Sequence, residues 1–209
     1  YARHLEPKIV IWLYFEGNDL VSNLPEELNS TILRNYLTSN FNQNLINRQS
    51  EIDSRMNEFV KDSIAYRQSS FTFFIEDFIQ NSRTIRLLNI RRIIGVDKRT
   101  NESDFTSDFK EVLGEANKRV EGWNGKLYFV YLPEYSRYLL DDPDSLSFRK
   151  RKEVIDLIKE LGIEVIDIHT EVFKNYDDPL NLFPRRSEAH YTPLGYRLTG
   201  QAIIDAVEN

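Results

Sequence analysis

Residues Ile9–Phe15 (IVIWLYF) form an unbroken apolar run, which is followed at once by the polar residues Glu16–Asp19 (EGND). This apolar run is rich in β-branched and aromatic residues, which is typical of a strand buried on both faces of a parallel sheet. Open α/β sheets bind their ligands at the carboxyl ends of strands, where Gly17-Asn18-Asp19 lies. An asparagine there can direct an amide N–H to an oxygen, and a glycine lets a substrate approach the backbone. Because Gly-Asn-Asp is also ordinary turn chemistry, the stretch alone leaves both interpretations open.

Two further apolar runs predict strands at residues 126–132 and 163–168. Helical stripes at 105–120 and 154–161 alternate with them, and Gly162 is expected to end the second helix. This alternation predicts an α/β fold with a parallel sheet and right-handed crossovers.

The segment 21–100 is mainly helical in pattern and is too long for a simple crossover. We predict a helical insertion after the first strand, which is either a lid or an accessory helical layer. It includes the aromatic run Phe71–Ile79, for which we expect another helix. The basic residues at 83–99 are expected to form a solvent-exposed face.

Composition limits the function classes. The chain has 209 residues, 41% hydrophobic and 29% charged, which suits one globular α/β domain. A net charge of -6 argues against general nucleic-acid binding, and the absence of cysteine excludes disulfides and thiolate metal sites. No apolar run reaches the roughly 18 to 20 residues that span a bilayer.

The chain begins at Tyr1 without an initiator Met, so we expect it to begin inside a domain; a targeting segment or membrane tether would lie upstream.

The second informative stretch is the loop 182–191 with the helix that follows it. Thr192 is a plausible N-cap and Pro193 suits the first helical position, so His190 lies just ahead of a helix N-terminus. A histidine there can act as a general base if the local positive field keeps its ring neutral. A lone loop histidine is also commonly a surface or packing residue.

Other polar residues carry weaker predictions. Asp167 and His169 could suggest a metal pair, but no third ligand is in view, so a structural role is favoured and we predict no metal or cofactor. Trp12 and Tyr14 are interpreted as core residues. Glu16 is either hydrogen-bonded near the site or solvated.

Gly17-Asn18-Asp19 at a strand end, with the run 190–196 (HYTPLGY) opening the last helix, resembles the SGNH (GDSL-type) hydrolase superfamily, and bacterial members in particular. The resemblance implies a three-layer α/β/α, flavodoxin-like parallel sheet. Residues 1–209 would form a single N-terminally truncated domain, with the helical insertion at 21–100. It also implies that Asn18 contributes to the oxyanion hole and that His190 is the catalytic base, while Gly17 and Asp19 bind substrate.

Two features depart from the family pattern. The nucleophilic Ser block and the oxyanion-hole Gly block are absent from this chain, which fits their place before the Asn strand in the family. The family usually has Asp three positions before the histidine, where this chain has Ser187. Glu188 is the candidate that orients the imidazole in its place; a backbone carbonyl, leaving a Ser-His dyad, is the alternative.

The expected function is therefore a serine ester hydrolase acting on O-acyl esters, carbohydrate esters among them, with the nucleophile upstream of this chain. A polysaccharide O-acyltransferase would use the same residues, and a non-catalytic SGNH-like module that binds glycan or protein is the third possibility. The partner would be a small-molecule or glycan ester. The resemblance favours a periplasmic or cell-envelope location and leaves a cytoplasmic one open.

Overall fold

The computed structural model describes residues 2–38, 41–69, 105–140, 143–144, 150–187 and 189–208. These residues fall into two compact units, one formed by residues 2–38 with 105–208 and the other by residues 41–69. The first unit contains the sheet, and the start of the predicted insertion, residues 21–38, belongs to it. The insertion's aromatic run Phe71–Ile79 and its basic residues at 83–99 lie outside the described residues.

The helices and strands of the described residues follow in chain order. The helices are α1 (Ala2–Leu5), α2 (Leu24–Asn29), α3 (Thr31–Arg34), α4 (Gln49–Ser69), α5 (Phe105–Glu121), α6 (Arg151–Glu160) and α7 (Pro193–Glu208). The strands are β1 (Ile9–Phe15), β2 (Lys126–Leu132) and β3 (Glu164–Asp167). Short 3-10 turns cover Asn35–Leu37, Ile46–Arg48, Tyr135–Leu139, Pro179–Leu182 and Pro184–Arg186, and π-helical turns cover Asp19–Asn23 and His169–Phe173.

The three strands form a parallel sheet in the order β1-β2-β3. Ile9 lies beside Lys126 and Phe15 beside Leu132, so β1 and β2 are paired over their whole length. The predicted α/β class and parallel sheet are confirmed, and both strands have the predicted bounds. β3 is shorter than predicted because the backbone turns helical at Ile168, where the turn His169–Phe173 begins.

Two hydrophobic clusters lie on opposite faces of β2. Leu127, Phe129 and Tyr131 pack with residues of α5 and α6, while Tyr128 and Val130 pack in the cluster that includes residues of α7. Alternate side chains of β2 therefore enter different clusters, as the period of two in a strand requires. Burying one side chain of this size stabilises the fold by about 1.5–3 kcal/mol. Because β2 places such side chains in both clusters, it is the centre of the core.

The prediction that β1 is buried on both faces is wrong for one face. Trp12 and Tyr14 face the cluster built with α5 and α6, which confirms them as core residues. Ile9, Ile11 and Leu13 are 46%, 41% and 56% exposed. The reason is position: β1 is the edge strand of the described sheet, and α7, which covers the second face, packs against β3.

The predicted helix ends are confirmed at two places, the end of α6 and the start of α7. Gly162 follows α6 with a φ of 72°, a conformation that glycine adopts without steric cost. Thr192 caps α7, since Gly195 N–H donates to Thr192 Oγ1 at 3.2 Å and Pro193 is the first helical residue.

Candidate functional site

The turn that follows β1 is closed by the Asp19 carboxylate. Phe15 N–H donates to Asp19 Oδ2 at 2.7 Å, and Asn23 Nδ2 donates to Asp19 Oδ1 at 2.9 Å. The Asn18 carbonyl accepts from the N–H groups of Ser22 and Asn23 at 2.8 and 3.1 Å. The Asn18 side chain is exposed and forms no hydrogen bond within the described part of the chain. Its amide is therefore free to donate to a bound molecule.

Gly17 lies against the Phe15 ring. A Cβ at Gly17 would lie 2.3 Å from Cε1 of Phe15, far inside van der Waals contact. A larger residue at this position would therefore require the ring to move. This packing role is independent of the substrate contacts predicted for Gly17 and Asp19, which stay predictions.

Glu16 is buried, which decides between the two alternatives that the sequence left open. The residue as a whole is 2% exposed, and its carboxylate accepts four hydrogen bonds. Tyr131 Oη donates at 2.7 Å, Glu134 N–H at 3.0 Å and Arg137 Nε at 3.1 Å, and Arg137 Nη2 completes the set. The carboxylate therefore joins the end of β1 to β2 and to the loop after β2.

Arg137 and Tyr131 keep the protonation states that this arrangement needs. Burial by itself lowers the pKa of Arg137, but the adjoining Glu16 carboxylate raises that pKa above its usual value. Burial, with the charge of Glu16, raises the pKa of Tyr131, so its hydroxyl stays protonated and donates. Arg137 binds Glu16 through two nitrogens, and its Nη1 donates to the Pro143 carbonyl.

His190 lies on the loop before α7 and is exposed. Its Nδ1 is 3.4 Å from Tyr196 Oη, at the outer limit of a hydrogen bond. Ser187, at the position where the family usually has Asp, is exposed, and its N–H donates to the Pro184 carbonyl. Glu188, the predicted orienting residue, lies outside the described residues.

Tyr196 is the site residue that sequence reasoning missed. It lies in the first turn of α7, so its side chain can reach back to the loop that holds His190. The spacing was visible in the run 190–196, but an aromatic residue on an amphipathic helix is more often part of a packed face.

The residue that follows His190 is firmly anchored. Tyr191 is 6% exposed and its hydroxyl donates to the Pro133 carbonyl at 2.8 Å, directly after β2. Thr192 N–H donates to the Leu182 carbonyl at 2.8 Å. His190 is thereby tied to the carboxyl end of β2, and Asn18 follows the carboxyl end of the neighbouring β1. Both predicted catalytic residues lie at one edge of the sheet.

Asp167 and His169 have separate partners. The Asp167 carboxylate accepts from Arg151 and from Thr170 Oγ1, whereas the His169 ring is 1% exposed and contacts other groups. Among the residues that the structure describes, no group of three or more His, Cys, Asp or Glu is arranged to hold a metal ion. The structural interpretation of the pair is the one that these contacts support.

His169 is held as a neutral ring. Burial is the main cause that lowers its pKa, although Asp144 acts in the opposite sense. Its Nε2–H therefore donates to Asp144 Oδ1 at 2.8 Å, and its Nδ1 accepts from Tyr138 Oη at 2.9 Å. Lys174 and then His169 lower the pKa of Asp144 to about 2.

A mainly apolar cleft of about 290 Å³ lies elsewhere in the same unit, on the face of β1 that carries Trp12. Neither Asn18 nor His190 lines it. Its walls come from β1, α5 and the segment 24–37: Trp12, Leu24, Glu27, Leu28, Leu33, Arg34, Tyr36, Leu37, Val112, Glu115, Ala116 and Arg119.

Comparisons with protein-family models, with curated proteins and with solved structures found no match to this chain. In the parts of the chain that the structure describes, no helix is long and apolar enough to cross a membrane.

Proposed function

We propose that this chain supplies the general base and one oxyanion-hole donor of a serine ester hydrolase of the SGNH type. The substrates are O-acyl esters, with carbohydrate esters as the first candidates. The proposal rests on the placement of two exposed residues at the carboxyl ends of neighbouring parallel strands. Asn18 follows the end of β1, and His190 is next to Tyr191, which is hydrogen-bonded to Pro133 just after β2. Clusters on both faces of β2 are compatible with the three-layer, flavodoxin-like fold that belongs to this proposal.

The chemistry is acyl transfer. A Ser hydroxyl attacks the ester carbonyl, and His190 Nε2 takes its proton and later gives that proton to the leaving alcohol. The Asn18 amide donates to the oxyanion of the tetrahedral intermediate. The nucleophilic Ser belongs to a segment upstream of Tyr1. No cofactor is required.

Tyr196 has the role of orienting the His190 ring. Its oxygen lies beside Nδ1, so it can accept a hydrogen bond from Nδ1–H and leave Nε2 as the acceptor for the Ser proton. The Tyr196 hydroxyl thus takes the place of the carboxylate that orients the histidine in most catalytic triads.

A non-catalytic module that binds a glycan or a protein is the second candidate. The observation that favours it is that Ser187 stands where the family usually has the Asp that orients the histidine. The Ser187 backbone N–H donates to the Pro184 carbonyl. Such a module would keep the exposed Asn18 and His190 as ligand contacts without turnover.

The test is hydrolysis of p-nitrophenyl acetate by the protein that includes the residues upstream of Tyr1, by its His190→Ala variant, and by the 209-residue chain. His4→Ala is the matched control, because His4 is exposed and precedes the amino end of β1, whereas Asn18 follows its carboxyl end. We expect turnover in the longer protein and in His4→Ala only. Equal rates in the longer protein and His190→Ala would refute the hydrolase and favour the binding module. Acyl transfer to an added sugar acceptor, with little hydrolysis, would identify an O-acyltransferase.

A further inference from the structure

A single peptide group lies between the Asn18 turn and the His190 segment. The peptide that joins Pro133 to Glu134 has its N–H donating to Glu16 Oε2 at 3.0 Å. The carbonyl of the same peptide accepts from the Tyr191 hydroxyl at 2.8 Å. Because a trans peptide directs its N–H and C=O to opposite sides, this one unit is held from both sides at once.

The two partners of this peptide are the neighbours of the proposed catalytic residues. Glu16 precedes Asn18 by two residues, and Tyr191 follows His190 directly. Glu16 is 118 residues from Glu134 in sequence, and Tyr191 is 58 residues from Pro133. Three distant segments of the chain therefore meet at one rigid planar group.

Both side chains that hold this peptide, and with it form a bridge, are buried. Glu16 is 2% exposed and is further held by Tyr131 and Arg137, so its carboxylate has little freedom to move. Burial raises the pKa of Tyr191 well above its usual value, so its hydroxyl remains a donor. Hydrogen bonds in such surroundings are stronger than at the surface.

We propose that the Pro133–Glu134 peptide, held by Glu16 and Tyr191, sets the spacing between Asn18 and His190. Glu16 and Tyr191 are thus positioning residues. The importance of this spacing for catalysis rests on the proposed function, whereas the control of the spacing by the peptide does not depend on it. An oxyanion donor and a base must reach the same reacting carbonyl, and a displacement of about 1 Å can cost up to about 10²-fold in rate.

The spacing is tested without any assay of activity, by NMR on the chain with ¹⁵N-labelled Asn and ¹³C-labelled His. Asn18→Asp and His190→Gln variants assign the two signals. Tyr191→Phe removes one hydroxyl and keeps the ring, and we expect it to shift the Asn18 side-chain amide resonance. Glu16→Gln, which changes the opposite end of the bridge, is expected to shift the His190 ring resonance. The matched control is Tyr138→Phe, which removes a hydroxyl from the same aromatic cluster but does not touch the bridge.

A shift at Asn18 in Tyr191→Phe that is absent in Tyr138→Phe supports the bridge. An unchanged Asn18 signal in Tyr191→Phe overturns it, as does an equal shift in Tyr138→Phe. In the longer, active protein we expect Tyr191→Phe to lower kcat by about tenfold with KM little changed, since the misplacement affects the transition state. If the wild-type protein lacks esterase activity but the NMR shifts occur, the proposed function fails and the bridge stands.

Discussion

Arg137 and Glu16 form an ion pair at the carboxyl end of β1 in which both side chains are 0% exposed. Removing Arg137 would leave the Glu16 carboxylate buried without its counter-charge. We expect Arg137→Met to lower the free energy of unfolding by about 3–5 kcal/mol. Urea denaturation of both proteins measures this change in the free energy of unfolding.

The control for this change is an ion pair between exposed side chains. Lys110 and Glu160 meet at 3.0 Å with side chains 49% and 65% exposed. Lys110→Met is expected to cost no more than about 1 kcal/mol. Because an apolar pair avoids the desolvation of both charges, Glu16→Leu combined with Arg137→Met should recover part of the loss. Similar costs at the two sites would contradict the role assigned to burial.

Asn18→Ala should separate activity from stability. The Asn18 side chain is exposed and unbonded within the described residues, so we expect little change in unfolding. The loss of one oxyanion-hole donor typically lowers kcat by about 10²–10³-fold. Rates with p-nitrophenyl acetate and a urea titration are measured on the same sample.

Asn23→Ala serves as the comparison for Asn18→Ala, because it removes an amide from the same turn. That amide donates to Asp19 within the turn, and we expect its loss to leave kcat within about threefold of wild type. Near wild-type turnover in Asn18→Ala would remove Asn18 from the oxyanion hole.

Tyr196→Phe tests the orienting role of the hydroxyl beside His190 Nδ1. Without that oxygen the ring loses its partner for the Nδ1 proton, and the tautomer with Nε2 as acceptor is less favoured. We expect kcat to fall by about tenfold, as the loss of a hydrogen bond worth about 1.4 kcal/mol would give. A variant with the wild-type kcat would show that another group orients the ring.

Most of the framework could be predicted from local sequence. Ile9–Phe15 and Lys126–Leu132 are the observed bounds of β1 and β2, since runs of β-branched and aromatic residues have few alternatives to a buried strand. Thr192 with Pro193 located the start of α7, because capping depends on adjacent residues. Local signals were sufficient where the interaction itself is local.

The failures of prediction involve residues far apart in sequence. The exposed face of β1 follows from its place at the edge of the described sheet, which a single strand's composition does not record. Glu16 could not be assigned because its partner Arg137 lies 121 residues away. Tyr196 has a local signal, but its meaning depends on where the loop places His190.

His169 should make stability depend on pH in a defined direction. Burial lowers its folded-state pKa below the ordinary value of about 6.5, so the unfolded chain binds a proton more readily as the pH falls. We therefore expect the free energy of unfolding to be constant above about pH 7 and to decrease between about pH 7 and pH 5.

Asp144 does not account for that decrease. Its pKa is lowered to about 2, so its contribution is present above about pH 4 and is lost only in stronger acid. His169→Gln, which can retain a donor near Asp144, should reduce the slope between about pH 7 and pH 5 while lowering stability at pH 7. His4→Gln is the same substitution at an exposed position and serves as the control for the substitution itself. Urea midpoints across this pH range provide the measurement, and an unaltered slope in His169→Gln would assign the dependence to another group.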